Sequence, residues 1–248
     1  FAVAPLAMSQ GSIFIVTDAP ELEVEGAGNL GDYLRGMGYT VDVDEGEGEE
    51  SAYRGPLTSA EISKLESYDL VIVHRATSSG SFNQPDDWNS LYVPVLCGSA
   101  YLPRDSRWQW TAAGNARAEA TGVTIVDADH PIVDGLTGEF YTTPLSIDIL
   151  AEGDVGGGHI VATAEYTDDE GNTFTGTAIA VWEAYDEFAS SRTHNAPRVF
   201  MPLFRYHEDD VGGTFADYSQ NGLDLIGQAV EFTMDLPSNV TSKQWELY

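Results

Sequence analysis

The residues best placed for chemistry follow a single apolar run. In Arg198-Val199-Phe200-Met201-Pro202-Leu203-Phe204-Arg205-Tyr206-His207-Glu208-Asp209 a buried strand delivers a histidine and two carboxylates to its carboxyl end, which is where α/β sheets build their sites. His207 with Asp209 two positions on has the makings of a general base and its orienter. Such a base needs a nucleophile, because a hydroxyl or thiol attacks poorly until its proton is removed. The chain has one cysteine, Cys97, at the end of another apolar run, with Ser99 just after it. A free cysteine in that position is ordinarily a small buried hydrophobe.

Other sets of residues carry less pattern. Asp42-Val43-Asp44-Glu45-Gly46 and Asp168-Asp169-Glu170-Gly171-Asn172 cluster the oxygen ligands calcium takes, with Asp42, Asp44, Asp168 and Asp169 the weak candidates. Neither has the ligand spacing of a calcium loop, so both read as solvated acidic turns. His130 follows Asp127 and Asp129 and precedes Pro131, which reads as a turn. His74, His159 and His194 have no partner at zinc-ligand spacing, and no cofactor is expected. Trp88, Tyr92, Tyr101, Trp108 and Trp110 crowd one region, either as core or as a stacking platform for sugars. Asn239-Val240-Thr241 is a glycosylation sequon, of consequence only in a host that glycosylates.

These residues must be held by elements, and the first half of the chain alternates them regularly. Ser12 to Asp18, Tyr39 to Asp44, Tyr68 to His74 and Val93 to Cys97 are short β-branched and apolar runs of the kind that form buried parallel strands. Between them, Asn29 to Gly38, Ser59 to Ser67 and Asp86 to Ser90 read as helices. That alternation with short connections predicts a doubly wound sheet. Gly122 to Val126 predicts a further strand. From residue 140 to 190 the rhythm changes: His159 to Tyr166 and Phe174 to Glu183 flank a hairpin turn and predict antiparallel strands. Asn221 to Asp235 predicts an amphipathic helix.

Composition bounds the function classes. The 248 residues, 42% hydrophobic, suffice for one domain, 1–248, with a β-rich insertion at 140–190 and extensions at 1–11 and 236–248. Eleven Lys and Arg against 40 Asp and Glu give a net charge of −29, which repels nucleic acid and anionic membranes. The only lysines are Lys64 and Lys243. No apolar run approaches the ~18 residues that cross a bilayer. One cysteine allows no intrachain disulfide, so the fold must stand on its core. The apolar start Phe1-Ala2-Val3-Ala4-Pro5-Leu6-Ala7-Met8 reads as the processed end of an exported chain or an excerpt of a longer one.

Several of these pieces, in order, resemble the class I glutamine amidotransferase-like superfamily. The likeness is nearest to its trehalose-utilisation-protein-like branch and to amidotransferase-like modules of secreted bacterial proteins. It rests on Tyr68-Asp69-Leu70-Val71-Ile72-Val73, Val93-Pro94-Val95-Leu96, Asp129-His130-Pro131-Ile132-Val133-Asp134-Gly135-Leu136, Arg198-Val199-Phe200 with His207, and the helix ending near Val230-Glu231-Phe232. The resemblance spans Ser12 to Asp235 and implies a flavodoxin-like α/β fold, mostly parallel, with an antiparallel insertion. Active members carry a Gly-x-Cys-x-Gly elbow after the Pro-Val-Leu strand, where glycines permit a strained, tightly packed turn. The match places the nucleophile at Ser99 and puts Cys97 and Tyr101 where the glycines belong. The resemblance also implies His207 as base and Asp209 as its carboxylate.

With the elbow broken, the expectation is a non-catalytic extracellular or cell-surface module. It would self-associate through its termini into a homo-oligomer or a filament-like homopolymer. The alternatives are a hydrolase with a degenerate triad of Ser99 or Cys97, His207 and Asp209, and a polysaccharide-binding accessory module.

Overall fold

The computed structural model describes residues 10–18, 29–44, 50–137, 140, 147–151, 153–168, 170–203 and 218–235. Along the chain these form β1 (Ser12–Val16), α1 (Leu30–Gly36), β2 (Thr40–Val43), α2 (Ser59–Leu65), β3 (Leu70–Val73), α3 (Pro85–Ser90) and β4 (Val95–Cys97). There follow β5 (Ala116–Ile125), a 3-10 turn (Pro131–Val133), β6 (Ile147–Leu150), β7 (His159–Thr167), β8 (Thr173–Trp182), β9 (Arg198–Phe200) and α4 (Gln220–Asp235). Local chemistry explains the helix starts. Thr58 and Glu61 form a reciprocal capping box on α2, and the Asn29 side chain accepts the Asp32 N–H at 2.7 Å at the head of α1. Gly38, at φ 104°, ends the α1 segment in a conformation a side chain would resist.

All nine strands join one sheet in the order β2-β1-β3-β4-β9-β8-β6-β5-β7. The pairs from β2 to β9 are parallel, with Ile13 opposite Val41 and Leu70, Val73 opposite Cys97, and Val95 opposite Arg198. Antiparallel pairing starts where β9 meets β8. The remaining strands close on each other: β8 pairs with β6 and β7, and both of those pair with β5. Such closure leaves little free strand edge. The fold is thus the expected α/β type with a mostly parallel centre and antiparallel strands appended. Three elements differ in detail. β5 is ten residues long and starts at Ala116, β6 was not foreseen, and the regular part of β9 ends at Phe200.

Strand alternation splits the core in two. Ile13, Ile15, Leu70, Ile72, Leu96 and Val199 face α1 and α4. Phe14, Val16, Val71, Val73, Val95, Cys97 and Phe200 face Leu65 of α2, Trp88 of α3 and the tryptophans of the segment after β4. Trp88 stacks on Trp108 at 5.1 Å, Trp108 meets Trp110 at 5.3 Å, and Trp110 meets Phe188 and Trp182 at 5.6 and 5.4 Å. Each of these indoles except Trp88 also finds a hydrogen-bond acceptor, which fixes its orientation.

At the amino ends of the parallel strands a fully buried arginine holds the layers together. Arg198 opens β9, and its guanidinium donates to the carbonyls of Val93, Ala196, Pro197, Leu91, Trp88 and Asn89 at 2.8–3.4 Å. Three of these carbonyls belong to the end of α3 and the residue after it, where helical acceptors lack partners of their own. Burial pulls the Arg198 pKa down to about 9, so the side chain is still cationic at neutral pH. His194 stacks on Phe188 beside it, with Nδ1 2.6 Å from the Ala196 carbonyl. Burial first, and then the Arg198 charge, hold His194 neutral with a pKa of about 3.

Candidate functional site

In a sheet of this topology the crevice lies outside the carboxyl ends of the parallel strands, between β1 and β3, where the chain changes direction. Asp18 follows β1 there. It accepts the backbone N–H of Ser51 at 3.0 Å, that of Ser78 at 2.6 Å and Nε of Arg54 at 2.9 Å. With both oxygens committed, Asp18 ties three loops together and is not free to act as a base. Asp44, at the end of β2, is buried and accepts the Ser51 hydroxyl and the Ala52 N–H. Burial raises its carboxyl above the usual range against those hydrogen bonds.

β4 carries the expected nucleophile positions. Cys97 and Ser99 are both 0% exposed. The Cys97 thiol lies 3.4 Å from the Ser99 carbonyl, and burial pushes its pKa up to about 12, so the thiolate that would attack is not formed at neutral pH. The Ser99 hydroxyl is buried and has no hydrogen-bond partner among the described residues. None of residues 97–101 has a positive φ, and the chain from 98 to 115 forms turns rather than a helix. A nucleophile elbow needs the reverse: a strained residue on a sharp strand-to-helix turn. Gly98 does serve close packing, since a Cβ there would lie 2.6 Å from the Leu203 side chain of the segment after β9. His207, Glu208 and Asp209 lie outside the described residues, as do Asp169 and Asn239.

The carboxyl edge carries instead a group that sequence reading missed. Arg75, just after β3, binds the buried Asp148 of β6 through Nε, and this ion pair bridges the parallel and antiparallel halves. The Arg75 guanidinium lies 4.9 Å from the centroid of the Tyr101 ring, and that of Arg104 lies 5.5 Å from the same ring. Arg104 Nε donates to the Tyr101 carbonyl at 2.9 Å. Arg107, on the same turn, donates from Nη1 to the Ser106 carbonyl at 2.8 Å, and its buried Nε has no partner among the described residues. Burial and the Arg107 charge lower the Arg104 pKa. The available signal was scarcity: arginines close after apolar strands in a chain of eleven cations.

The remaining site residues do not gather. Asp42 is exposed and accepts the Tyr68 hydroxyl at 2.7 Å, while Asp44 points into the core. Asp168 accepts the Glu170 and Asn172 N–H groups and the Asn172 amide, which hold its carboxyl low and close the β7–β8 turn. Among the described residues no three His, Cys, Asp or Glu side chains are arranged to hold a metal ion. His159, without a partner at zinc-ligand spacing in the sequence, binds Asp127 at 2.7 Å and stacks on His130 at 5.6 Å. His130 accepts the Ile132 N–H in the expected turn. Trp88, Trp108, Trp110 and Trp182 are 0–1% exposed, which removes them as a stacking platform; of the crowded aromatics only Tyr92, at 61%, is well exposed.

Among solved structures this architecture has counterparts. A ThuA-like protein from Parabacteroides merdae ATCC 43184 superposes with a TM-score of 0.56 at 14% identity, over 93% of this chain and 92% of that one. The fold is ThuA-like. A second ThuA-like protein, from Bacteroides uniformis ATCC 8492, gives 0.54 at 12% identity over 93% and 95% of the two chains. The glutaminase domain of the Trypanosoma brucei CTP synthase, bound to acivicin, gives 0.40 at 12% identity. No protein-family profile and no curated protein matches the sequence. At these identities the ThuA-like likeness concerns the path of the chain, not an activity. Among the described residues no helix is long and apolar enough to cross a membrane.

Proposed function

We propose that this chain acts by binding rather than by amide hydrolysis, as a non-catalytic module of ThuA-like fold in surface assembly or attachment. The observation that supports the reading is the turn after β4, where the nucleophile positions Ser99 and Cys97 are sealed in the core on an unstrained backbone. A hydrolase would have to expose one of them to substrate. Incubating the native protein with a fluorophosphonate and with iodoacetamide should give no adduct at Ser99 or Cys97, and glutamine should release no ammonia. Stoichiometric labelling of either residue that disappears in His207→Ala would restore the degenerate triad and end the proposal.

Its assembly half rests on sequence. The apolar segment 1–8 stands out in a chain of net charge −29, and apolar residues in so acidic a chain are suited to contact with a second copy. An extracellular or cell-surface setting, where counterions screen the self-repulsion, fits the same charge. Sedimentation velocity should show oligomers that dissociate when residues 1–8 are deleted. An unchanged monomer before and after deletion would leave only the binding half standing.

A further inference from the structure

The arginines at the carboxyl edge pose a question that the assembly reading does not answer. Acidic groups outnumber basic ones 40 to 11, so a cation here has carboxylates to choose from. Among the described residues Arg35, Arg75 and Arg192 each pair with one, and Arg54 pairs with two. Arg104 and Arg107 pair with none among the described residues, although Asp105 stands between them in sequence. Arg75 uses only Nε on Asp148, and its terminal nitrogens have no hydrogen-bond acceptor among the described residues. Two guanidinium groups, those of Arg75 and Arg104, are therefore held over one half-buried tyrosine with N–H donors unused, and Arg107 lies near enough for its charge to act on Arg104, beside the strand ends where this topology places ligands.

The group is held in place, not left to wander. The segment that carries it is knitted by Trp108 N–H to the Leu102 carbonyl at 2.9 Å, by Gln109 N–H to the Arg104 carbonyl at 3.0 Å and by Thr111 N–H to the Pro103 carbonyl at 3.0 Å. Trp108 and Trp110 anchor it in the core. Between them Gln109 takes a φ of 64°, a conformation a non-glycine residue adopts at a cost. Holding two guanidinium groups near each other costs free energy that the nearby Asp105 charge offsets only in part, since burial and Arg107 outweigh it, and a bound anion would lower that cost.

We propose that Arg104 and the terminal nitrogens of Arg75, held over Tyr101, form with the neighbouring Arg107 a binding site for the oxyanion group of a small ligand, a phosphate or a carboxylate. Guanidinium forks match such groups bidentately, and the aromatic ring orients the forks. The site goes beyond the assembly reading and does not depend on it: anion binding can fail while Ser99 and Cys97 stay unreactive, and the reverse.

Calorimetric titration of the full chain at low salt, with inorganic phosphate in one arm and glucuronate in the other, tests the site. Saturable binding of one or both is expected, weakening as salt is added. The arm that binds more tightly identifies the oxyanion. Arg104→Gln and Arg107→Gln should each weaken binding by about tenfold or more, since each removes charge-assisted hydrogen bonds. Arg192→Gln, on the surface pair with Asp86, should bind as the parent does. Near-UV circular dichroism of the tryptophan cluster verifies that each variant is folded; should Arg104→Gln lose that signal, Arg107→Gln carries the test. No saturable binding in either arm, or equal binding by parent and both variants, would overturn the site.

Discussion

The two ends of the parallel strands treat the same side chain in opposite ways. At the amino ends, Arg198 is 0% exposed and has six backbone carbonyls as acceptors. At the carboxyl ends, Arg104 and Arg107 are half-buried and leave donors unused. A cation closed in by its own protein is part of the scaffold. One whose donors remain open at a strand-end crevice can still take a ligand. The contrast separates stability from function without appeal to a catalytic residue.

Perturbation should separate the two ends by size of effect. Arg198→Met is expected to be the most damaging, because it strands several buried carbonyls at once, at about 1–3 kcal/mol for each group left unsatisfied; urea denaturation should show a loss of at least about 3 kcal/mol. A midpoint close to the parent's would mean that the carbonyls find other donors and that Arg198 is not a staple. Next comes the joint between the halves: Asp148→Asn should cost about 2 kcal/mol, and in a double-mutant cycle most of that cost should vanish when Arg75 is already Leu.

A smaller effect depends on pH. The denatured chain protonates His194 below its ordinary value, about 6.5, whereas the native ring stays neutral down to about 3. Its contribution is therefore complete above pH 6.5 and is lost as the pH falls through that window, reaching about 2 kcal/mol at pH 5. Comparing urea midpoints at pH 7 and pH 5 should show a shallower dependence in His194→Phe than in the parent. Parallel profiles would assign the acid sensitivity to other groups. The smallest change belongs to the open end: Arg107→Gln should alter stability by no more than about 0.5 kcal/mol, and a large loss would make it scaffold like Arg198.

Much of the fold was legible because the parallel strands announce themselves. Leu70-Val71-Ile72-Val73 and Ile13-Phe14-Ile15-Val16 are buried on both faces, so every position is apolar and the run stands out. β6 did not stand out, since its four residues contain Asp148, whose charge is explained only by an arginine 73 positions away. The first half of β5, Ala116-Arg117-Ala118-Glu119, is polar enough to pass for loop, and pairing with β6 rather than propensity makes it a strand. Pro202 lacks an N–H for the ladder, which fits the early end of regular β9.

The site was legible only in part. Tyr101 stands where an elbow glycine belongs, and the backbone from 97 to 101 has no residue of positive φ. What Tyr101 does instead could not be read from spacing. Arg75 and Arg104 lie on either side of it in sequence and meet only because β3 and β4 are neighbours in the sheet. The burial of Trp108 and Trp110 is equally a matter of topology, since an aromatic cluster reads the same in a core as on a surface.

The place of β9 has a consequence for the order in which the molecule can form. Val95 of β4 must wait for Arg198, and Val199 then closes against Val181 of β8. During synthesis everything from β1 to β4 can assemble while the outer side of β4, Val95-Leu96-Cys97, still presents an unpaired apolar edge. The strand that will cover it is made late and arrives by a long-range closure, the slow kind. The nascent chain is thus most exposed to wrong partners at the line where the finished sheet is best protected, and a chaperone or a neighbouring nascent copy would meet it there first.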